Sequence, residues 1–320
     1  MNDNNPVKII FLGTPEFCLP VLQFLNNNSF IDLCLVVSMP DRPAGRGNQL
    51  KSPAVIEYCK EKQISFLQTK HLNSDVNATE AIKSLKPDIL LVLAFAQFLS
   101  KDVLNIPKRG CFNIHTSLLP RWRGAAPIQH ALLNNDRETG ISIQRMVSKM
   151  DAGDVCIEKR LPIRAYDNQI SLTTRLQFAC VEALEEFILH LSNNSLNFQV
   201  QNDHEITLAP EIKKDDGKID FKRETAINIY HKYRAYTFWP GLFTFINEKR
   251  LKLIKMRMIT HPSHGLQPLS PGIFFEYQGM LAVQTRDGIL RLEQIQWEGK
   301  KPVWDYEFLR SNKAAELNQE

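Results

Sequence analysis

The apolar positions in the first half of the chain alternate between two periods. Val7–Leu12 is a short apolar run ending at Gly13. Pro15 and Glu16 then open a segment in which Phe17, Val21, Leu22 and Leu25 share one helical face. Asp32–Ser38 is a second strand-like run. Ser52–Lys60 reads as a helix with Ser52 as N-cap and Pro53 at its first position. Asp75–Lys86 is a further helix, stopped by Pro87. Ile89–Ala96 is apolar throughout, as a strand covered on both faces must be. Cys111–His115 and Gly140–Met146 read as strands, and Ala125–Leu133 and Ser171–Leu191 as helices. Repeated βα units predict an α/β fold, an open and mostly parallel sheet of Rossmann-like type.

The texture changes after Leu191. Residues 192–201 hold three asparagines and two serines, a composition that suits a linker. One helical segment follows, Glu224–Tyr236. Short runs punctuated by turns come next: Leu242–Ile246, Leu251–Met258, Gly272–Phe275, Leu281–Thr285 and Ile289–Ile295. Strands without βα alternation predict a small β-barrel. A chain of 320 residues exceeds the roughly 250–300 that one core supports. The expected division is a domain over 1–191, a linker over 192–210 and a second domain over 211–320.

Composition narrows the classes. With 43% hydrophobic and 23% charged residues the chain is globular. Its longest apolar run is far short of the ~20 residues that span a bilayer. Met1–Pro6 offers neither a basic nor an apolar leader, so no secretory signal is expected. The six cysteines form no C-x-x-C pair, and reduced thiols in a cytoplasmic protein explain them better than a metal site. His261 and His264 sit in a Pro/Ser/Gly stretch and read as a solvated loop, so no metal is expected. Between Phe221 and Arg257 nine basic residues face two acidic ones. Such a window fits either a solvated face or a polyanionic partner.

Candidate chemistry concentrates in two places. Phe11–Phe17 has one glycine where a dinucleotide fingerprint needs three, which argues against a nicotinamide enzyme. Asn113 and His115 flank Ile114 at a strand end, so period 2 sets both on one face. An amide beside an imidazole can hold a carbonyl oxygen as it gains charge. A capped strand end with a satisfied histidine is the reading that a lone histidine favours. Asp151 and Asp154 in Met150–Asp154 offer carboxylates in a glycine turn, or an ordinary Asx-turn.

With Ser117-Leu-Leu-Pro120 following the histidine, Asn113, His115 and Asp151 resemble the site of the folate-dependent formyltransferases. The resemblance extends through Ile10–Phe17, Pro40–Gly47, Leu118–Ile128, Asp216–Asp220, Arg234–Gly241 and Glu298–Pro302, in the order found in the branch that acts on methionyl-tRNA. It implies a formyltransferase fold with an OB-like C-terminal barrel. It implies transfer of the formyl group of 10-formyltetrahydrofolate to the α-amino group of methionyl-initiator tRNA, by direct amine attack through a tetrahedral oxyanion. Asn113, His115 and Asp151 would be catalytic, and Ser117, Leu118, Leu119 and Pro120 would line the folate site. Arg42, Arg46, Lys232, Arg234, Lys249 and Arg250 would contact tRNA. A monomer that needs no metal and no membrane is expected. An amino-sugar or purine-intermediate formyltransferase of the same superfamily is the alternative. The chain departs from the family pattern at Ala94-Phe95-Ala96, where Ala-Tyr-Gly is usual, at Gln97, at Asn48 and Gln49, and at Glu211.

Overall fold

The computed structural model describes residues 6–44, 49–260, 269–311 and 317–318. The chain forms two compact units. One comprises Met1–Pro127, Glu138–Pro162 and Thr173–Ala209; the other comprises Ile128–Arg137, Ile163–Leu172 and Pro210–Glu320. His261, His264 and Arg46 lie outside the described residues.

Up to residue 209 the elements are β1 (Val7–Gly13), α1 (Leu19–Asn27), β2 (Ile31–Ser38), β3 (Arg42–Ala44), β4 (Gln49–Lys51), α2 (Ala54–Lys62), β5 (Phe66–Gln68), α3 (Val76–Ser84) and β6 (Ile89–Leu93). They continue with α4 (Lys101–Leu104), β7 (Cys111–His115), β8 (Arg123–Gly124), α5 (Pro127–Leu133), β9 (Glu138–Arg145), β10 (Val155–Pro162), α6 (Gln169–Ser192) and β11 (Leu208–Ala209). Seven strands make one sheet in the order β10-β9-β7-β6-β1-β2-β5. The strands from β5 to β7 are parallel, and β9 and β10 add antiparallel. Ile9–Leu12 and Ile89–Leu91 are fully buried, because crossover helices cover both faces of the parallel strands. The antiparallel edge departs from a purely parallel reading. The apolar run of β9 has no direction written in it, and the short connection to β10 fixes only that these two strands run antiparallel to each other.

Local chemistry sets the helix ends. The Asp75 side chain accepts from the Ala78 amide and starts α3. Pro53, expected inside α2, is instead its extended flanking residue, with ψ at 145°. Ser52 does not cap; its hydroxyl accepts from Lys60 Nζ at 3.2 Å. The strand expected through Ala96 stops at Leu93, because Ala94 and Ala96 take left-handed φ of 48° and 59°.

The second unit carries α7 (Ala226–Ala235), β12 (Leu242–Ile246), β13 (Lys249–Ile259), β14 (Phe274–Tyr277), β15 (Met280–Gln284), β16 (Ile289–Trp297), β17 (Val303–Trp304) and α8 (Asp305–Arg310). Its antiparallel sheet runs β12-β13-β16-β15-β14, with β17 on β16. Asn247 and Glu248, with φ of 48° and 63°, make the two-residue turn between β12 and β13, the geometry that matches strand twist. Register shifts between Leu253 and Met256 mark bulges that bend β13. This is the antiparallel, barrel-like domain that the short strands predict.

No helix among the described residues is long and apolar enough to cross a membrane. All six cysteines are free. Burial pushes the thiols of Cys18, Cys59 and Cys111 up to about 12. Their thiolate fraction at pH 8 is therefore on the order of one in ten thousand. Iodoacetamide at pH 8 should leave these three unmodified in the native protein, as peptide mass spectrometry would read; rapid labelling of Cys18 would contradict its burial.

Candidate active site

Strand pairing brings polar side chains together on one face of the sheet. Asn113 and His115 of β7 lie opposite Gln144 and Ser142 of β9. The turn before β10 returns Asp151 to them, with Asp151 at a left-handed φ of 48°. The Asp151 carboxylate is held at both oxygens. Oδ1 accepts from Gln144 Nε2 at 2.9 Å and, at 3.4 Å, from Asn113 Nδ2. Oδ2 accepts from the Gly124 amide at 2.9 Å and stands 3.8 Å from His115 Nδ1. The structure thus brings the three expected catalytic residues into one cluster. His115 is 6% exposed and Asn113 is half-buried, so the amide is the more open of the two.

One contact fixes the imidazole. His115 Nε2 lies 2.9 Å from the Trp122 carbonyl oxygen. A carbonyl only accepts, so Nε2 carries the hydrogen and Nδ1 faces Asp151. The carbonyl is itself pinned. Trp122 sits at φ 62°, and its amide donates to Thr207 Oγ1 at 2.9 Å. Left-handed φ at Trp122 and Asp151 costs on the order of 1–3 kcal/mol each, and the hydrogen bonds on both sides hold it.

A second layer, absent from the sequence reading, supports the cluster. Gln201 Nε2 donates to the carbonyls of Asp151 and Gly153 at 2.9 and 2.6 Å. Its Oε1 accepts a forked pair from Arg123 at 3.0 and 2.8 Å. Gln144 Oε1 accepts from the Gly153 amide at 3.2 Å. The signal for Gln144 and Ser142 was present: two polar residues alternate with Ile141 and Ile143 on β9, and both prove buried. Gln201 and Thr207 lie in the span expected to be a linker, 192–210. Here it packs on the first unit, through the Val155–Gln199 bridge and the pairing of β11 with β8.

The Ser117–Pro120 turn is built from within. Ser117 is fully buried, and its hydroxyl donates to the Arg121 carbonyl at 2.5 Å. Ser142 Oγ donates to the Ser117 carbonyl at 2.8 Å and accepts from the Leu119 amide at 3.0 Å. Leu119 is buried as well, which leaves Leu118 and Pro120 as the half-exposed side chains of the turn. Gln97 is a brace: it donates to the Thr69 carbonyl at 2.9 Å and accepts from the Leu72 amide at 2.8 Å.

The residues expected at tRNA separate. Arg42 is exposed, on the hairpin formed by β3 and β4. At the base of that hairpin Gln68 donates to Asp41 at 2.7 Å and lowers its carboxyl below the usual range. Lys249 is exposed and Arg250 half-buried, both at the start of β13. Arg234 is a correction. It is 5% exposed, and its guanidinium donates to the carbonyls of Asp167 and Arg164 at 2.7 and 3.1 Å. Its charge is used inside the second unit. Lys232 is tied to Glu224 at 2.5 Å, so its charge is largely neutralised.

Comparison with known proteins adds to this geometry. Residues 7–188 match the family described as formyl transferase, and residues 211–313 match the formyl transferase C-terminal domain. The chain is 35% identical over 308 residues to a methionyl-tRNA formyltransferase of Thermodesulfovibrio yellowstonii, covering 96% of this chain and 97% of that protein. It is 38% identical over 310 residues to the methionyl-tRNA formyltransferase of Geotalea uraniireducens, covering 97% and 96%. Among solved structures it resembles an N-formyltransferase of Helicobacter canadensis in complex with folinic acid and dTDP-3-aminofucose. There the TM-score is 0.66 at 21% identity, covering 89% of this chain and 98% of that one, a likeness of fold.

Proposed function

Since the chain belongs to the methionyl-tRNA formyltransferases within the formyl transferase family, we propose that it transfers the formyl group of 10-formyltetrahydrofolate to the α-amino group of methionyl-initiator tRNA. One observation carries the reading: relatives named for this reaction match the chain almost from end to end, the β-rich second unit included. The amino-sugar enzymes share the fold at much lower identity. The protein serves translation initiation, acts in the cytoplasm and works as a monomer. Catalysis is assigned to residues 1–191 and tRNA binding to residues 211–320, with the span up to residue 209 packed as part of the first unit.

The donor set suits acyl transfer: an amide 3.4 Å and an imidazole 3.8 Å from the same carboxylate, beside the half-exposed Leu118 and Pro120. 10-Formyltetrahydrofolate supplies an electrophilic formyl carbon. Asn113 Nδ2 donates to the formyl oxygen as charge grows on it, exchanging its long bond to Asp151 for a shorter one. His115 has only Nδ1 left for the reaction, because Nε2 is committed to Trp122. It can donate to that oxygen only when both nitrogens carry protons, with Asp151 as counter-ion. Asp151 takes the proton that the attacking nitrogen must lose as its bond to the formyl carbon forms; when the oxyanion collapses, the bond from that carbon to N10 of the folate breaks, and the same proton passes to N10 of the departing tetrahydrofolate. Gln144 and the Gly124 amide keep that carboxylate in place.

The acceptor side is tested by kinetics. kcat/KM for methionyl-tRNA should fall steeply with salt, while KM for 10-formyltetrahydrofolate changes little. Arg42→Ala should lower kcat/KM for tRNA about tenfold and leave the folate KM unaltered, because arginine's planar fork grips phosphate and stacks on bases. An acceptor term indifferent to salt would exclude RNA. A change confined to the folate KM would put the β3–β4 hairpin at the other substrate.

A further inference from the structure

The basic window of the second unit is less uniform than its sequence. Ion pairs take Arg223, Lys232 and Arg257, to Asp220, Glu224 and Glu293. Among the described residues no ion pair includes Lys214, Arg250 or Lys252, and these three line one cleft of about 350 Å³. The loop between α7 and β12 lines the same cleft with Tyr236, Phe238 and Trp239. Phe238 is 78% exposed and Trp239 46%. Two adjacent large rings open to solvent beside unneutralised cations mark an interaction site. The Arg250 guanidinium lies 3.8 Å over the Phe243 ring, and its Nε is buried without a hydrogen-bond partner. An unsatisfied donor on a charged group needs a reason, and a guanidinium packed against a ring keeps its forked donors available to an incoming anion.

We propose that this cleft holds one unpaired nucleotide of the acceptor tRNA, its base against Phe238 and Trp239 and its flanking phosphates against Lys214, Arg250 and Lys252. The proposal rests on the functional reading above and specifies one part of the RNA that the second unit takes. The volume lies at the small end of ligand pockets and suits a single nucleotide rather than a helix. Bases inside a duplex are stacked on each other and offer no open ring face, so the occupant is single-stranded. Aromatic rings accept any base face, while the cations supply a salt-dependent grip.

The test uses the full chain and charged methionyl-tRNA, with binding measured across a salt series. Phe238→Ala and Trp239→Ala should each weaken binding about tenfold at every salt concentration, with the slope of log affinity against log salt unchanged. Trp239→Phe, which keeps a ring, should bind nearly as the wild type does. Lys214→Ala and Lys252→Ala should each reduce the slope by about one. Unstructured oligocytidylate should compete with tRNA for the wild type, and duplex RNA of equal length should compete much less. Both aromatic residues are exposed, so the variants should fold; circular dichroism checks this. Unchanged affinity in folded Phe238→Ala and Trp239→Ala would overturn the base-stacking site. So would losses confined to the lysine variants, which would mark a backbone-only surface. In both cases formyl transfer by the wild type would leave the functional reading standing. If the wild type neither binds nor formylates methionyl-tRNA, both fall together.

Discussion

Asp151→Asn should bind both substrates and lose turnover by about 10²–10⁴-fold. That is the range a positioned proton acceptor contributes. The substitution keeps shape and removes the group that takes the proton from the attacking nitrogen. It also disturbs a balance of donors. Both carboxylate oxygens now accept, one from Gln144 and one from the Gly124 amide. An asparagine offers one acceptor and one NH₂, so one of these donors loses its partner. The cost is about 1–3 kcal/mol if that donor stays buried. Rotation of the Gln144 amide would relieve it at the expense of the Gly153 amide, which donates to Gln144 Oε1. A modest loss of stability should therefore accompany a large loss of kcat, with KM nearly constant. Asn113→Ala combined with Asp151→Asn should cost less than the sum of the two, because the side chains act on the same reacting centre. Steady-state kinetics with denaturant midpoints reads both effects. Turnover near normal would remove Asp151 from the chemistry.

Gly124→Ala should be strongly damaging for a single added methyl at the site. Gly124 takes φ of +124°, and an added Cβ would stand 2.6 Å from the Ala209 carbonyl oxygen. That oxygen belongs to the β8–β11 pair and accepts from the Ala126 amide, so it has little freedom to move. Steric conflict and unfavourable φ together should destabilise the protein by about 2–4 kcal/mol. Activity should fall further than stability explains. The only relief is to shift β8, and that withdraws the Gly124 amide from Asp151 Oδ2. A reduced denaturation midpoint, with kcat lowered well below the transition temperature, is the expected pair of results. Wild-type values for both would show that β8 does not hold the carboxylate.

Legibility in the sequence varied with the kind of information. The parallel core was readable because burial on both faces leaves unbroken apolar runs such as Ile89–Leu93. Strand direction was not, since β9 carries the same alternation either way. Asn113, His115 and Asp151 stood out because polar groups at a strand end and in a glycine turn break the apolar pattern. Gln201 did not, because a buried glutamine looks like a surface one until its partners are known. The left-handed φ of Trp122 and Asp151 has no residue signature. Neither residue is glycine, and the hydrogen bonds that enforce the conformation come from distant segments. Charge counting failed at Arg234 for a related reason. A guanidinium satisfied by carbonyls of Asp167 and Arg164 is internal structure, yet in sequence it resembles the exposed Lys222 and Arg223 of the same window.

Acceptor choice tests the central claim most directly. Purified chain would be given 10-formyltetrahydrofolate with equal concentrations of methionyl-initiator tRNA and a dTDP-linked amino sugar, and formylated products would be separated and quantified in one reaction. The account predicts N-formylmethionyl-tRNA as the dominant product, abolished by Asp151→Asn. Formyl transfer to the amino sugar with methionyl-tRNA left untouched would contradict it.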